Sequence, residues 1–229
     1  MTFITLVWVF VFLALTAFVL FSDLLRMRYV EPLSDMAAIE LLVKLKGYSP
    51  AYANTLVASC RRCASDHKHD GIAFWRVKAG YTVREHAAQD KNCRDSLQYV
   101  KYWNLPSDVP TKDSIVCWVP RLALDSTNKT ICEMQKIRER LLESCNLSEP
   151  QDTEFGSIGL LFALINAHHK LTGERVPLAL RYAVSDSTHG NSGHLMAGSH
   201  SEGNLNLGHW DGSARADVGF FFLLVIELD

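Results

Sequence analysis

The chain has 229 residues, a formal net charge of −2 and a pI of about 6.5. Its basic residues are interspersed with acids, as in DKNCRD and KIRERLLE, and form no cluster. Phosphate backbones are held by clustered Lys and Arg, so nucleic acid is excluded as an expected partner.

Residues 3–21 read FITLVWVFVFLALTAFVLF, nineteen positions without a charge, interrupted only by Thr5 and Thr16. As a helix this run is about 28 Å long, against a bilayer core of ~30 Å. A cleaved signal peptide would show a basic n-region, a shorter apolar core and a small-x-small cleavage site. No Lys or Arg precedes Phe3, and Val19, Leu20, Phe21 and Ser22 offer no such site. The expectation is a single-pass transmembrane anchor over residues 1–22, with lipid contacting residues 3–21. A mixed-charge juxtamembrane linker follows over 23–33, then one extramembrane domain over 34–229. Roughly 200 residues are enough to bury about 70% of the unfolded surface.

Ser34 caps a helix to about Lys46, with Ile39, Leu42 and Val43 on one face and Gly47 as its left-handed stop. Ser49-Pro50 opens the next helix, which carries Tyr52, Leu56, Cys60 and Cys63. Residues 72–79 alternate as a short strand. Thr82 and Glu85 form a capping box for a helix through about Lys91. Tyr99, Tyr102 and Trp103 gather next, and with Trp75 and Trp118 they are expected in the core. Residues 114–119 read as a buried strand ended by Pro120.

Thr130 and Glu133 form a second capping box, and Ile131, Met134, Ile137, Leu141 and Cys145 trace one face of the helix it opens. Glu149-Pro150 breaks that helix. Thr153 opens another, to about Thr172, stopped by Gly173. Its apolar run from Ile158 to Ala167 is too short for a second span. A cation is favoured at the end of this helix, so His168-His169 reads as structural. Residues 175–184 resemble a strand in which Pro177 suggests an edge. Residues 185–217 form a long Gly/Ser/His/Asn segment without clear periodicity. The last run, VGFFFLLVIEL over 218–228, reads as a buried strand that something must cover. The fold class is therefore α+β, a mixed helix and small-sheet domain behind the anchor.

Six cysteines, Cys60, Cys63, Cys93, Cys117, Cys132 and Cys145, follow the anchor. An even count fits up to three disulfides in an oxidising compartment, with 15 possible pairings. Sequons at Asn128 and Asn146 suit the same side. Arg26 and Arg28 act against it, because no basic residue precedes the span and positive charge prefers the cytoplasmic face. The cysteines narrowly outweigh two arginines. The domain is expected on the extracytoplasmic or lumenal side.

Two constellations bear chemistry. The late segment holds His189, His194, His200 and His209 among Asp186, Glu202, Asp211 and Asp217, a donor set suited to a catalytic zinc or iron site. Its spacing matches no ligand signature. Cys60-x-x-Cys63 with His67 and His69 offers a second zinc shell or a dithiol, against which stands the simpler reading of a structural disulfide, local or to Cys93. Gly190-Asn191-Ser192-Gly193 lacks the flanking glycine pattern of a nucleophile elbow. The leading expectation is an accessory or interaction subunit of a membrane-associated complex, its domain fixed by disulfides and docking on protein partners. The alternative is a membrane-tethered, metal-dependent hydrolase using histidines of the 189–209 loop, with a thiol-redox protein as a weaker third.

Overall fold

The computed structural model describes residues 29–84, 111–147, 155–178, 180–188, 193–199 and 205–228. Among these residues are helices α1 (Asp35–Lys46), α2 (Pro50–Asp66), α3 (Ile131–Ser144) and α4 (Ile158–Thr172). The strands are β1 (Val30–Leu33), β2 (Phe74–Val77), β3 (Ser114–Leu122), β4 (Tyr182–Thr188), β5 (His194–Ser199), β6 (Leu205–Trp210), β7 (Val218–Gly219) and β8 (Phe221–Glu227). The fold is α+β. The apolar run over 3–21 lies outside the described residues, and no described helix is long and apolar enough to cross a membrane.

The described strands form two four-stranded sheets, one in the order β1-β2-β3-β8 and the other β6-β5-β4-β7. The first is antiparallel throughout, whereas the second contains a parallel β4–β7 pair. The terminal apolar run contributes to both. Val218 and Gly219 pair with β4, the chain crosses at Phe220, and β8 then pairs with β3. Alternation along β8 explains its unbroken hydrophobicity. Phe221 and Leu223 join one core cluster, while Phe222, Leu224 and Ile226 join the cluster on the opposite face.

Helix α4 is buried almost all round because it packs into the cluster shared by both sheets, against Trp75, Val116 and Trp118 on one side and Leu195, Ala197 and Leu207 on the other. Helices α1 and α2 cover the other face of the first sheet. A third cluster, with Met134, Phe155, Val184, Met196, Trp210 and Phe220, fills the space between α3 and the second sheet. The expected core tryptophans Trp75 and Trp118 are fully buried and meet edge to face at 6.2 Å. Tyr99, Tyr102 and Trp103 lie outside the described residues.

The local capping chemistry holds where it can be seen. Ser34 accepts from the Ala37 amide and Ser49 from the Tyr52 amide, both at 3.2 Å. Gly47 stops α1 at φ 72°, and Thr130 and Glu133 cap α3 reciprocally. The Thr82/Glu85 box extends beyond the described residues, as do Glu149-Pro150 and Thr153. The cap of α4 is instead Ser157, which accepts from the Leu160 amide at 3.2 Å.

Several expected boundaries move. Strand β3 runs past Pro120 to Leu122, because a register shift between Trp118 and Leu122 absorbs the residue that has no N–H to donate. The strand expected over 175–184 begins only at Tyr182. Upstream, Val176 and Leu178 are buried but the backbone turns, the Leu178 amide bonding the Val176 carbonyl at 2.7 Å. The largest correction is the supposed aperiodic segment over 185–217, which contains the end of β4 and the whole of β5 and β6. Finally, Val30–Leu33, within the stretch expected as linker, is an edge strand paired with β2, where Pro32 is tolerated.

Candidate functional site

The densest group of reactive side chains lies beneath α2, against the first sheet. Positions 53, 56, 57, 60, 63 and 64 of α2 form a buried stripe at helical spacing, and this stripe contains both cysteines of the C-x-x-C pair. Cys117 is at the centre of β3, with Phe74 on one neighbouring strand and Leu224 on the other. Cys145 caps the C-terminus of α3. Four sulfurs from three separate segments of the chain thus share one core cluster.

They converge as two pairs. The side chain that most shifts Cys60 is that of Cys117, and the one that most shifts Cys63 is that of Cys145. Cys117 Sγ also lies 4.0 Å from the Cys60 carbonyl oxygen, and Ser144 Oγ lies 3.8 Å from Cys145 Sγ. Exposure is 0% for Cys60, Cys63 and Cys117 and 1% for Cys145, so no reagent reaches them in the folded molecule. All five described cysteines are unbridged in the structure, and Cys132 is exposed, away from this group.

The shared protons polarise the pairs. Cys145 is brought down to about 7 by the hydrogen bond from Cys63, with help from Ser144. Cys63 is pushed far above the usual thiol range, first by that same bond to Cys145 and then by burial. Cys60 is likewise driven up by its bond to Cys117 and by burial.

The neighbouring charged and imidazole groups have their own partners. Arg61 pairs with Asp35, donates to the Gly71 carbonyl at 2.9 Å and lies over the Phe74 ring at 5.6 Å. His67 shares a 2.7 Å hydrogen bond between Nδ1 and the Cys63 carbonyl, stacks on Phe222 and has Nδ1 3.9 Å from Cys63 Sγ. Because a carbonyl only accepts, Nδ1 carries a proton and donates it. Nε2 is buried with no hydrogen-bond partner among the described residues. His69 turns away, its Nε2 2.9 Å from the Ile72 carbonyl. The two histidines proposed to complete a zinc shell with Cys60 and Cys63 therefore bond backbone carbonyls.

The histidines of the late segment do not converge either, as far as they are described. His189 and His200 lie outside the described residues. His194 pairs in register with Trp210, and Leu195 with His209, so adjacent-strand alternation sends His194 and His209 to opposite faces of the second sheet. His194 Nδ1 lies 3.0 Å from the Ser185 carbonyl, whereas His209 is exposed. The nearby acids are engaged in turns and tethers. Asp186 accepts from the Phe155 amide, Asp211 from Ser213, and Asp217 pairs with Arg215. These bonds hold the Asp211 and Asp217 carboxyls below the usual range. Among the described residues, no group of three or more His, Cys, Asp or Glu is placed to hold a metal ion. Ser192 is outside the described residues.

At the end of α4, His168 is buried edge-on against Trp118 at 5.9 Å, and burial lowers its basicity. His169 Nδ1 lies 3.3 Å from the Glu174 carbonyl beyond the helix stop. A small cleft of about 10 Å³, lined by Tyr29, Tyr81, Asn166 and Lys170 among others, has room for about one water. No known protein family, curated protein or solved structure matches the chain.

The signal for the sulfur cluster was only half local. The stripe through Cys60 and Cys63 is readable from α2 alone, but Cys117 and Cys145 join it through the docking of β3 and α3.

Proposed function

We propose that the chain is a single-pass, membrane-anchored accessory or interaction subunit whose extramembrane domain docks on protein partners in a membrane-associated complex. The observation that carries this reading is the use to which the domain puts its reactive side chains. The four clustered cysteines are sealed in the core, and His67, His69, His169 and His194 are hydrogen-bonded to backbone carbonyls. Apolar groups are left on the outside. Met36, Leu45 and Tyr52 on α1 and α2 are 65%, 41% and 39% exposed, and Tyr52 meets Tyr48 edge to face at 4.9 Å.

Distance favours partners at the membrane. Only residues 23–28 separate the expected anchor from Tyr29, the first described residue, a reach of at most about 25 Å. A domain tethered so closely meets membrane-embedded or membrane-apposed proteins far more often than freely diffusing ones. Asn128 and Asn146, the two sequon asparagines, are both exposed, as glycosylation on the lumenal side requires.

Purification of the untagged chain from detergent tests this reading. The expected result is a chain that needs detergent to leave the membrane and elutes with the same protein partners at fixed stoichiometry. A chain that stays in the supernatant without detergent and elutes alone overturns it. Stoichiometric zinc that disappears in a His194→Ala variant favours the tethered hydrolase instead.

A further inference from the structure

We infer that the four buried cysteines form two specific cross-links in the mature chain, Cys60 to Cys117 and Cys63 to Cys145, each made by oxidation of two thiols that the fold brings together. This deepens the anchored-subunit reading and rests on it for the oxidising compartment.

Geometry selects these pairs from the alternatives. Cys60 and Cys63 are separated by three positions inside α2, where Cβ atoms lie about 5–6 Å apart. A disulfide wants its Cβ atoms at about 3.5–4.5 Å, so a bridge within the C-x-x-C pair would have to unwind the helix. The cross-element pairs ask no helix to unwind: Cys117 Sγ lies 4.0 Å from the Cys60 carbonyl oxygen, which puts Cys117 beside Cys60, and Cys145 shares the same core cluster with Cys63. The pattern also accounts for sulfur in a place where a small hydrocarbon side chain would pack. Cys60, Cys63, Cys117 and Cys145 sit among Leu56, Val57, Phe74, Ile115 and Phe222.

The two links would divide the labour. One ties the middle of α2 to the centre of the first sheet, and the other ties the same helix to the end of α3. Helix α2 is thereby fixed to elements that enter the fold later in the chain. The chemistry is thiol–disulfide exchange with a disulfide donor of the oxidising compartment. One cysteine thiolate attacks a donor sulfur and releases one donor thiol, giving a mixed disulfide. The paired cysteine then attacks the mixed disulfide, forms the protein bridge and releases the second donor thiol. Each bridge thus takes two electrons and two protons from the cysteines, and the donor disulfide receives both. Exchange must precede closure of the core, since the finished site admits no reagent.

The test takes the full chain from its native membrane, denatures it in the presence of N-ethylmaleimide so that every free thiol is blocked, and digests it with trypsin without reduction. Arg61 and Arg62 lie between the two cysteines of α2, so trypsin places them in separate peptides. The expected products are peptide 47–61 linked to 113–121, and peptide 63–68 linked to 141–170, both collapsing on reduction. In a Cys117→Ser variant the second link should persist while Cys60, alone among the three that remain, takes up maleimide. Maleimide on any of the four in the native chain overturns the inference, as does a 47–61 to 63–68 link, an exchanged pairing or bound zinc at one per chain. Free thiols in a chain that still elutes with fixed partners would overturn the cross-links and leave the docking reading standing.

Discussion

The two sheets treat sequence proximity in opposite ways. On the first, Cys60, Cys117 and Cys145 are scattered across the chain yet meet in one core, because α2, β3 and the end of α3 pack on the same face. On the second, His194 and His209 fall in one His-rich stretch yet part company, because β5 and β6 pair in a register that turns them to opposite faces. A cluster in sequence becomes a site only if the secondary structure beneath it brings the side chains to one face. Scattered residues become one whenever long-range packing does so.

The comparison can be broken most forcefully at the first sheet. Phe222 stacks on His67 in the core beside the cysteines and is 1% exposed, so Phe222→Ala should cost about 3–5 kcal/mol in denaturant unfolding. A loss below about 1 kcal/mol would mean that this face is not a packed core. On the second sheet the corresponding weak point is Gly198, which lies under the Tyr182 ring, where an added Cβ would sit 2.3 Å from Tyr182 Cδ1. Gly198→Ala should cost about 1–3 kcal/mol, read from the shift in unfolding midpoint. Insensitivity there would place the β4–β5 register in error.

The pH response of the reduced chain sharpens the contrast. Cys60 and Cys63 ionise less readily folded than unfolded, so the folded state holds their protons while the unfolded state releases them. Stability of the reduced chain should therefore fall as pH rises above about 9, an effect absent once the thiols are bridged. Cys145, brought down to about 7, works in the other direction, adding stability that is present above pH 9 and lost as pH falls through 7. Urea titrations of the reduced chain at pH 8 and pH 10 check the sign. The smallest effects separate the two histidines. His194→Ala loses its hydrogen bond to the Ser185 carbonyl and should cost about 1 kcal/mol, while His209→Ala on the exposed face should stay within about 0.5 kcal/mol. Equal, large losses of stability or of bound metal in both would argue for a shared site.

How legible each region was follows from the range of the interactions that make it. Helix ends are local: Ser34, Ser49 and the Thr130/Glu133 pair cap through their side chains, and Gly47 stops α1 through its left-handed backbone. The terminal strand was legible because both its faces are buried, which leaves a continuous apolar run. Strands β5 and β6 were not, since each is short and carries glycine where most strands carry a branched side chain. The signal was the alternation of Leu205 and Leu207 with Asn206 and Gly208. The glycines themselves are packing residues, as both Gly198 and Gly208 accommodate the Tyr182 ring. Pro177 was read as an edge-strand residue, but the tight turns around Leu178 delay β4 until Tyr182. The pairing of the cysteines depends on tertiary docking, which composition and spacing do not encode.

The central claim is that the buried sulfurs of the first sheet serve the architecture. Its most direct test is the unfolding free energy of the detergent-solubilised chain, measured as isolated and after full reduction under identical conditions. The account predicts a loss of about 2–4 kcal/mol for each link broken, with the Cys117→Ser variant losing only one link's share on reduction. A chain whose stability is unchanged by reduction would contradict it.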